Sequence, residues 1–97
     1  MEICGKQILY TKDCQNLFFL NAYARVVVDA DGVFVGRTDK DTGLLLKLKE
    51  KDKFLNIVLK LRNGVTQEKL IKELKNVMPK EEIEDFINRL IQEGVID

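Results

Sequence analysis

The chain has no histidine, a single proline and two cysteines in 97 residues, and its 16 basic and 16 acidic side chains cancel. Without histidine the commonest general base is missing, and no Cys–His or Ser–His nucleophilic pair can be assembled. Cys4 and Cys14 do not stand at metal-ligand spacing, and no histidine is present to complete a zinc site. Two reduced thiols are expected rather than a metal site or a disulfide. The neutral charge balance excludes a polycation, so any basic feature has to be local. No apolar run approaches the roughly 20 residues that span a bilayer. The opening "MEICGKQILY" has an early acid and no hydrophobic signal core. A cytoplasmic protein with no membrane partner is expected. Gly32 and Gly36 bracket a strand rather than a phosphate loop, and no P-loop Gly-Lys-Ser/Thr follows them. No linker, repeat or low-complexity tract divides the chain. It reads as one domain, long enough to bury a core without disulfide or metal.

The first half is rich in β-formers. "QNLFFLNAYARVVVDADGVFVGR" contains two β-branched runs separated by Asp-Ala-Asp-Gly, a strong hairpin signal with Gly32 suited to the turn. A two-residue and a four-residue loop both fit. Gln7 to Thr11 is a candidate short strand, and "TDKDTG" holds a second turn.

The stretch "GLLLKLKEKDKF" is divided by parity. Leu44, Leu46 and Leu48 share one face, and Lys47, Lys49, Lys51 and Lys53 share the other. Period 2 predicts a third strand over Leu44–Lys49. With Asp52 as N-cap, a helix is expected to begin near Lys53. Its stripe is Phe54, Leu55, Val58, Leu59 and Leu61, and Gly64 sits at a C′ position. Thr66 is placed to cap a second helix, with Leu70, Ile71 and Leu74 buried. Pro79 suits the first turn of a third, where Glu81 and Glu82 complement the helix dipole. Ile83, Phe86, Ile87, Leu90 and Ile91 form an apolar stripe. Gly94 ends that helix, and Val95 and Ile96 are expected to fold back onto the core. The acidic run Glu81, Glu82, Glu84 and Asp85 reads as a solvated helix start rather than a metal site. The prediction is an α+β domain, an N-terminal three-stranded antiparallel sheet followed by three helices.

Catalytic constellations are absent, so the sequence reads as a non-catalytic binding module that needs no cofactor. Three short helices with a glycine-containing turn match the outline of a winged helix-turn-helix. In such a reader the last helix meets phosphates. Here that helix is "KEEIEDFINRLIQEG", with five acids against Lys80 and Arg89. Phosphate neutralisation carries most affinity for DNA, so this helix would be repelled. Nucleic acid is not the expected partner. A winged-helix DNA-binding regulator and a structural protein–protein subdomain are the alternative readings.

The hairpin "RVVVDADGVFVGR", the third strand, "FLNIVLKLRNGVTQEKLIKEL" and "EEIEDFINRLIQEGVI" together resemble the RiPP recognition element. This is the PqqD-like winged-helix domain of ribosomal peptide natural-product biosynthesis. The chain is also similar to the N-terminal domains of ThiF-like and cyclodehydratase-associated proteins of such pathways. The resemblance covers about residues 17–97, and leaves residues 1–16 as an N-terminal extension without a role. It implies a domain, standalone or N-terminal in a larger protein, that binds the leader segment of a precursor peptide and presents the core peptide to a modifying enzyme. The leader would add as a strand beside the third strand, with its apolar side chains in a groove against the third helix. The peptide-binding residues would then be Gly43, Leu44, Leu45, Leu46, Lys47, Leu48 and Lys49, with Phe86, Arg89 and Leu90 from the helix. The lysines suit the edge independently of the resemblance, since proteins guard open strand edges with charge.

Overall fold

A computed structural model describes residues 2–6, 17–41 and 43–97. In chain order the elements are β1 (Glu2–Cys4), β2 (Leu17–Phe18), β3 (Ala24–Asp29), β4 (Gly32–Arg37), β5 (Gly43–Leu46), α1 (Lys51–Asn63), β6 (Val65–Thr66), α2 (Gln67–Leu74) and α3 (Lys80–Gln92). The α+β class is as expected, with three helices among the described residues. The main antiparallel sheet has four strands rather than three, in the order β1-β3-β4-β5. The additional strand comes from the extension: Glu2, Ile3 and Cys4 stand opposite Val27, Val26 and Arg25. Three residues are too few to show a period, but Ile3 is buried between two exposed neighbours, as a one-sided strand requires. The candidate strand at Gln7–Thr11 lies outside the described residues.

Each strand sorts its side chains by parity. Ile3, Val26, Val35 and Leu44 form one transverse row facing the helices, and Val28, Val33 and Leu46 form the next. These rows pack against Phe54, Val58, Leu70, Leu74, Ile87 and Leu90 to make the core. The β3–β4 connection is the two-residue loop, with Asp29 opposite Gly32. Neither Ala30 nor Asp31 takes a positive φ. The Asp29 carboxylate holds the turn instead, accepting from the N–H groups of Asp31 at 2.8 Å and Gly32 at 3.2 Å.

Two helix starts differ from expectation. Helix α1 begins at Lys51 with Glu50 at the cap and no side-chain cap bond. Phe54 N–H already donates to Glu50 C=O, so Asp52 lies inside the first turn and acts on the dipole. Pro79 is itself the cap of α3, in extended backbone, with Lys80 the first helical residue. Thr66 caps α2 as predicted, accepting from Lys69 N–H at 3.3 Å. Val95 and Ile96 are buried, and Ile96 bridges to Leu20. No helix among the described residues is long and apolar enough to cross a membrane.

Three exposed contacts perturb carboxylates. Hydrogen bonds from Arg37 hold Asp39 below the usual range, one from Lys60 does the same for Glu73, and the Cys4 thiol and then Arg25 lower Glu2. A lowered folded-state pKa contributes stability above the unfolded value, and that contribution is lost as pH falls through the folded value. With no histidine to titrate, Tm is expected to be level from about pH 6 to pH 8 and to fall below about pH 4.5. Circular dichroism melts from pH 3 to pH 8 check this, and a step near pH 6.5 would contradict it.

Candidate functional site

The last strand of the sheet offers the most distinctive surface. Strand β5 pairs with β4 through Val33–Leu46, Phe34–Leu45, Val35–Leu44 and Gly36–Gly43. On its other side no strand pairs with it among the described residues. The sequence pattern expected pairing as far as Lys49, but the ladder stops at Leu46. Beyond the Val33–Leu46 pair, β4 has only Gly32 left before its turn with β3.

Local geometry shows which backbone groups are open. A Cβ on Gly43 would fall 2.8 Å from the Val35 carbonyl oxygen, and one on Gly32 would fall 2.4 Å from that of Leu46. Those approaches place the Leu44 N–H against Val35 and the Leu46 carbonyl against Val33. In an antiparallel pair the hydrogen-bonding direction alternates along the strand. Leu44 and Leu46 therefore spend their amides on β4, while Gly43 and Leu45 direct theirs outward. No turn or loop hydrogen bond from Gly43 or Leu45 is present among the described residues.

The side chains around the edge fall into two sets. Leu44, Leu46 and Leu48 are half-buried and lean on the core. Leu45, Lys47 and Lys49 are exposed. Neither lysine is in an ion pair among the described residues. Lys51, in contrast, is engaged, donating from Nζ to the Asp29 carbonyl at 2.8 Å.

Helix α3 carries the other predicted residues. Phe86 is half-buried, with its ring 6.1 Å from that of Phe54 at 58°. Arg89 is exposed, and Leu90 is a buried core residue. The helix is tied to the sheet at its far end, where Arg37 Nη1 donates to the Gly94 carbonyl at 3.3 Å. Arg37 also grips Asp39 with two nitrogens, at 2.8 and 2.7 Å, and lies 5.5 Å from the Tyr23 ring centroid. Because Gly36 stands opposite Gly43, this tie sets the C-terminal end of α3 at the β4 end next to the start of β5.

Sequence reasoning did not single out Phe34. It is 39% exposed on the sheet face away from the helices, and its ring covers Gly43, where a Cβ would lie 2.5 Å from Cζ. An aromatic covering an edge glycine replaces the packing that the glycine cannot supply. Since Val33, Phe34 and Val35 are all apolar, composition alone could not say which one faces out.

Two clefts lie away from the edge. One, of about 370 Å³ between α2 and α3, has Ile71, Ile83 and Ile87 on its floor and Gln67, Lys80 and Glu84 on its rim. The other, of about 310 Å³ between α1 and α2, is lined mainly by polar groups including Lys53, Lys60 and Glu73. Comparison with family models, with curated proteins and with solved structures found no match for this chain.

Proposed function

We propose that this chain is a non-catalytic, winged-helix-like domain of the RiPP recognition type, which takes the leader segment of a precursor peptide as an extra strand on β5 and holds the core peptide for a modifying enzyme. The observation that carries this reading is the edge of β5, unpaired among the described residues, with Gly43 and Leu45 amides directed outward. Strand addition draws affinity from such main-chain groups and specificity from alternating side chains. Lys47 and Lys49 beside the edge guard it against indiscriminate pairing and favour an acidic segment. A DNA-binding reading gains no support from α3, whose Glu81, Glu82, Glu84 and Asp85 are all exposed.

The direct test is fluorescence anisotropy with labelled synthetic leader peptides encoded near the gene. Saturable binding at low-micromolar concentration or tighter, lost when the leader is scrambled, supports the reading. No binding to any of them overturns it. Charge reversal supplies a second check. Lys47→Glu combined with Lys49→Glu is expected to weaken leader binding about tenfold at low salt, with the difference shrinking near 0.5 M salt. Equal affinity in both salts would leave the lysines as guards of the edge only.

A further inference from the structure

The sheet face turned away from the helices carries an apolar row that stops at the open edge. Across the ladder, Glu2, Val27, Phe34 and Leu45 stand opposite one another. At the β1 end the row is closed by charge, because Glu2 pairs with Arg25 at 3.2 Å. At the β5 end it finishes on Leu45, which is 57% exposed. The exposed positions continue along the chain to Lys47, which has no ion partner among the described residues. An incoming strand would therefore meet two unlike groups, two residues apart: the apolar Leu45 on this face, then the exposed, cationic Lys47 just past the end of β5.

Resting on the leader-binding reading above, we infer that this outer face is a second specificity surface for the bound peptide, distinct from any contacts made toward α3. The strand that pairs with β5 places a large apolar side chain beside Leu45 and Phe34. Two positions along, just past the end of β5, it places an acidic residue beside Lys47. The apolar residue lengthens the Val27–Phe34–Leu45 row by one cross-strand neighbour. The acid supplies a counter-charge for Lys47, which has none among the described residues. The order of the two in the peptide reports its direction: acid before apolar residue for an antiparallel strand, apolar residue before acid for a parallel one.

The test uses the full chain and the same synthetic leaders. With methyl-labelled protein and unlabelled leader, nuclear Overhauser contacts are expected from the Leu45 methyls and the Phe34 ring to one apolar leader side chain. Replacing that leader residue with alanine, on the unaltered protein, is expected to weaken binding about fivefold. Leu45→Thr, which keeps β propensity, should do the same, and Leu45→Met should bind within twofold of the parent. If the leader binds and slows exchange of the Leu45 amide, but no such contacts appear and Leu45→Thr binds within twofold, the edge reading stands and the outer-face inference falls. If no leader binds the parent protein, both fall together. If sedimentation shows a dimer that Leu45→Thr dissociates, the row belongs to a second copy of the chain, and the peptide inference is overturned.

Discussion

Replacing Ile96 with alanine is expected to remove about 2–5 kcal/mol of stability, although the residue lies next to the last position of the chain. Terminal residues usually fray, but this one is 1% exposed and pairs with Leu20. The strand around it is held on both sides. Phe19 and Asp97 exchange backbone hydrogen bonds at 3.2 and 2.9 Å, and Asn21 N–H donates to the Val95 carbonyl at 2.8 Å. Leu20 N–H donates to the Leu61 carbonyl at 2.9 Å, so the same segment fastens the C-terminal residues to α1. Truncating Ile96 opens a cavity where helix and terminal bridge meet, in a domain whose total stability is on the order of 5–15 kcal/mol. Ile91, 45% exposed on α3, is the internal comparison. Ile91→Ala is expected to change stability by about 0.5 kcal/mol or less. Urea unfolding of both variants measures the difference, and equal losses would mean that the C-terminal residues are not docked.

That contrast shows where the sequence was legible. The helical half was readable because its signals are local. Thr66 caps, Gly64 and Gly94 adopt positive φ at helix ends, and Val95 and Ile96 return to the core. The alternation within Leu44–Lys49 also pointed to a strand, although the strand itself ends at Leu46. Pairing was less visible. Strand β1 is three residues long, and its place beside β3 depends on a partner more than twenty residues away. The end of β5 is set by where β4 leaves its hairpin, which nothing within "GLLLKLK" encodes. The α3 stripe was over-full for the same reason. Ile83, Ile87 and Leu90 are buried, Phe86 is half-buried and Ile91 is exposed, and only packing against the sheet and α2 separates them. For the candidate site, the strand was legible and its open side was not, since an edge is defined by what fails to pair.

A pair of proline substitutions would separate that open side from the paired one. Leu45→Pro is expected to leave the domain folded, with a loss of no more than about 1 kcal/mol, because the N–H it removes points away from β4 and proline is tolerated on outward positions of edge strands. The same change deletes one of the donors that an added strand requires, and its ring occupies the path of the incoming backbone. A peptide carbonyl left unpaired in the new ladder costs about 1–3 kcal/mol, so leader affinity should fall on the order of 10- to 100-fold. Leu44→Pro, one residue away, should behave differently. Its N–H faces the Val35 carbonyl, so proline there breaks the β4–β5 ladder and leaves that carbonyl unpaired, at a cost of about 1–3 kcal/mol of stability. Unfolding curves and anisotropy titrations of the two variants give four numbers. Stability kept and binding lost at position 45, with stability lost at position 44, is the pattern that an outward-facing Leu45 amide and strand addition together require. If Leu45→Pro binds a leader as tightly as the parent chain, the peptide is held elsewhere. If Leu45→Pro unfolds the domain while Leu44→Pro does not, the hydrogen-bonding parity of β5 is the reverse of the one derived from Gly32 and Gly43.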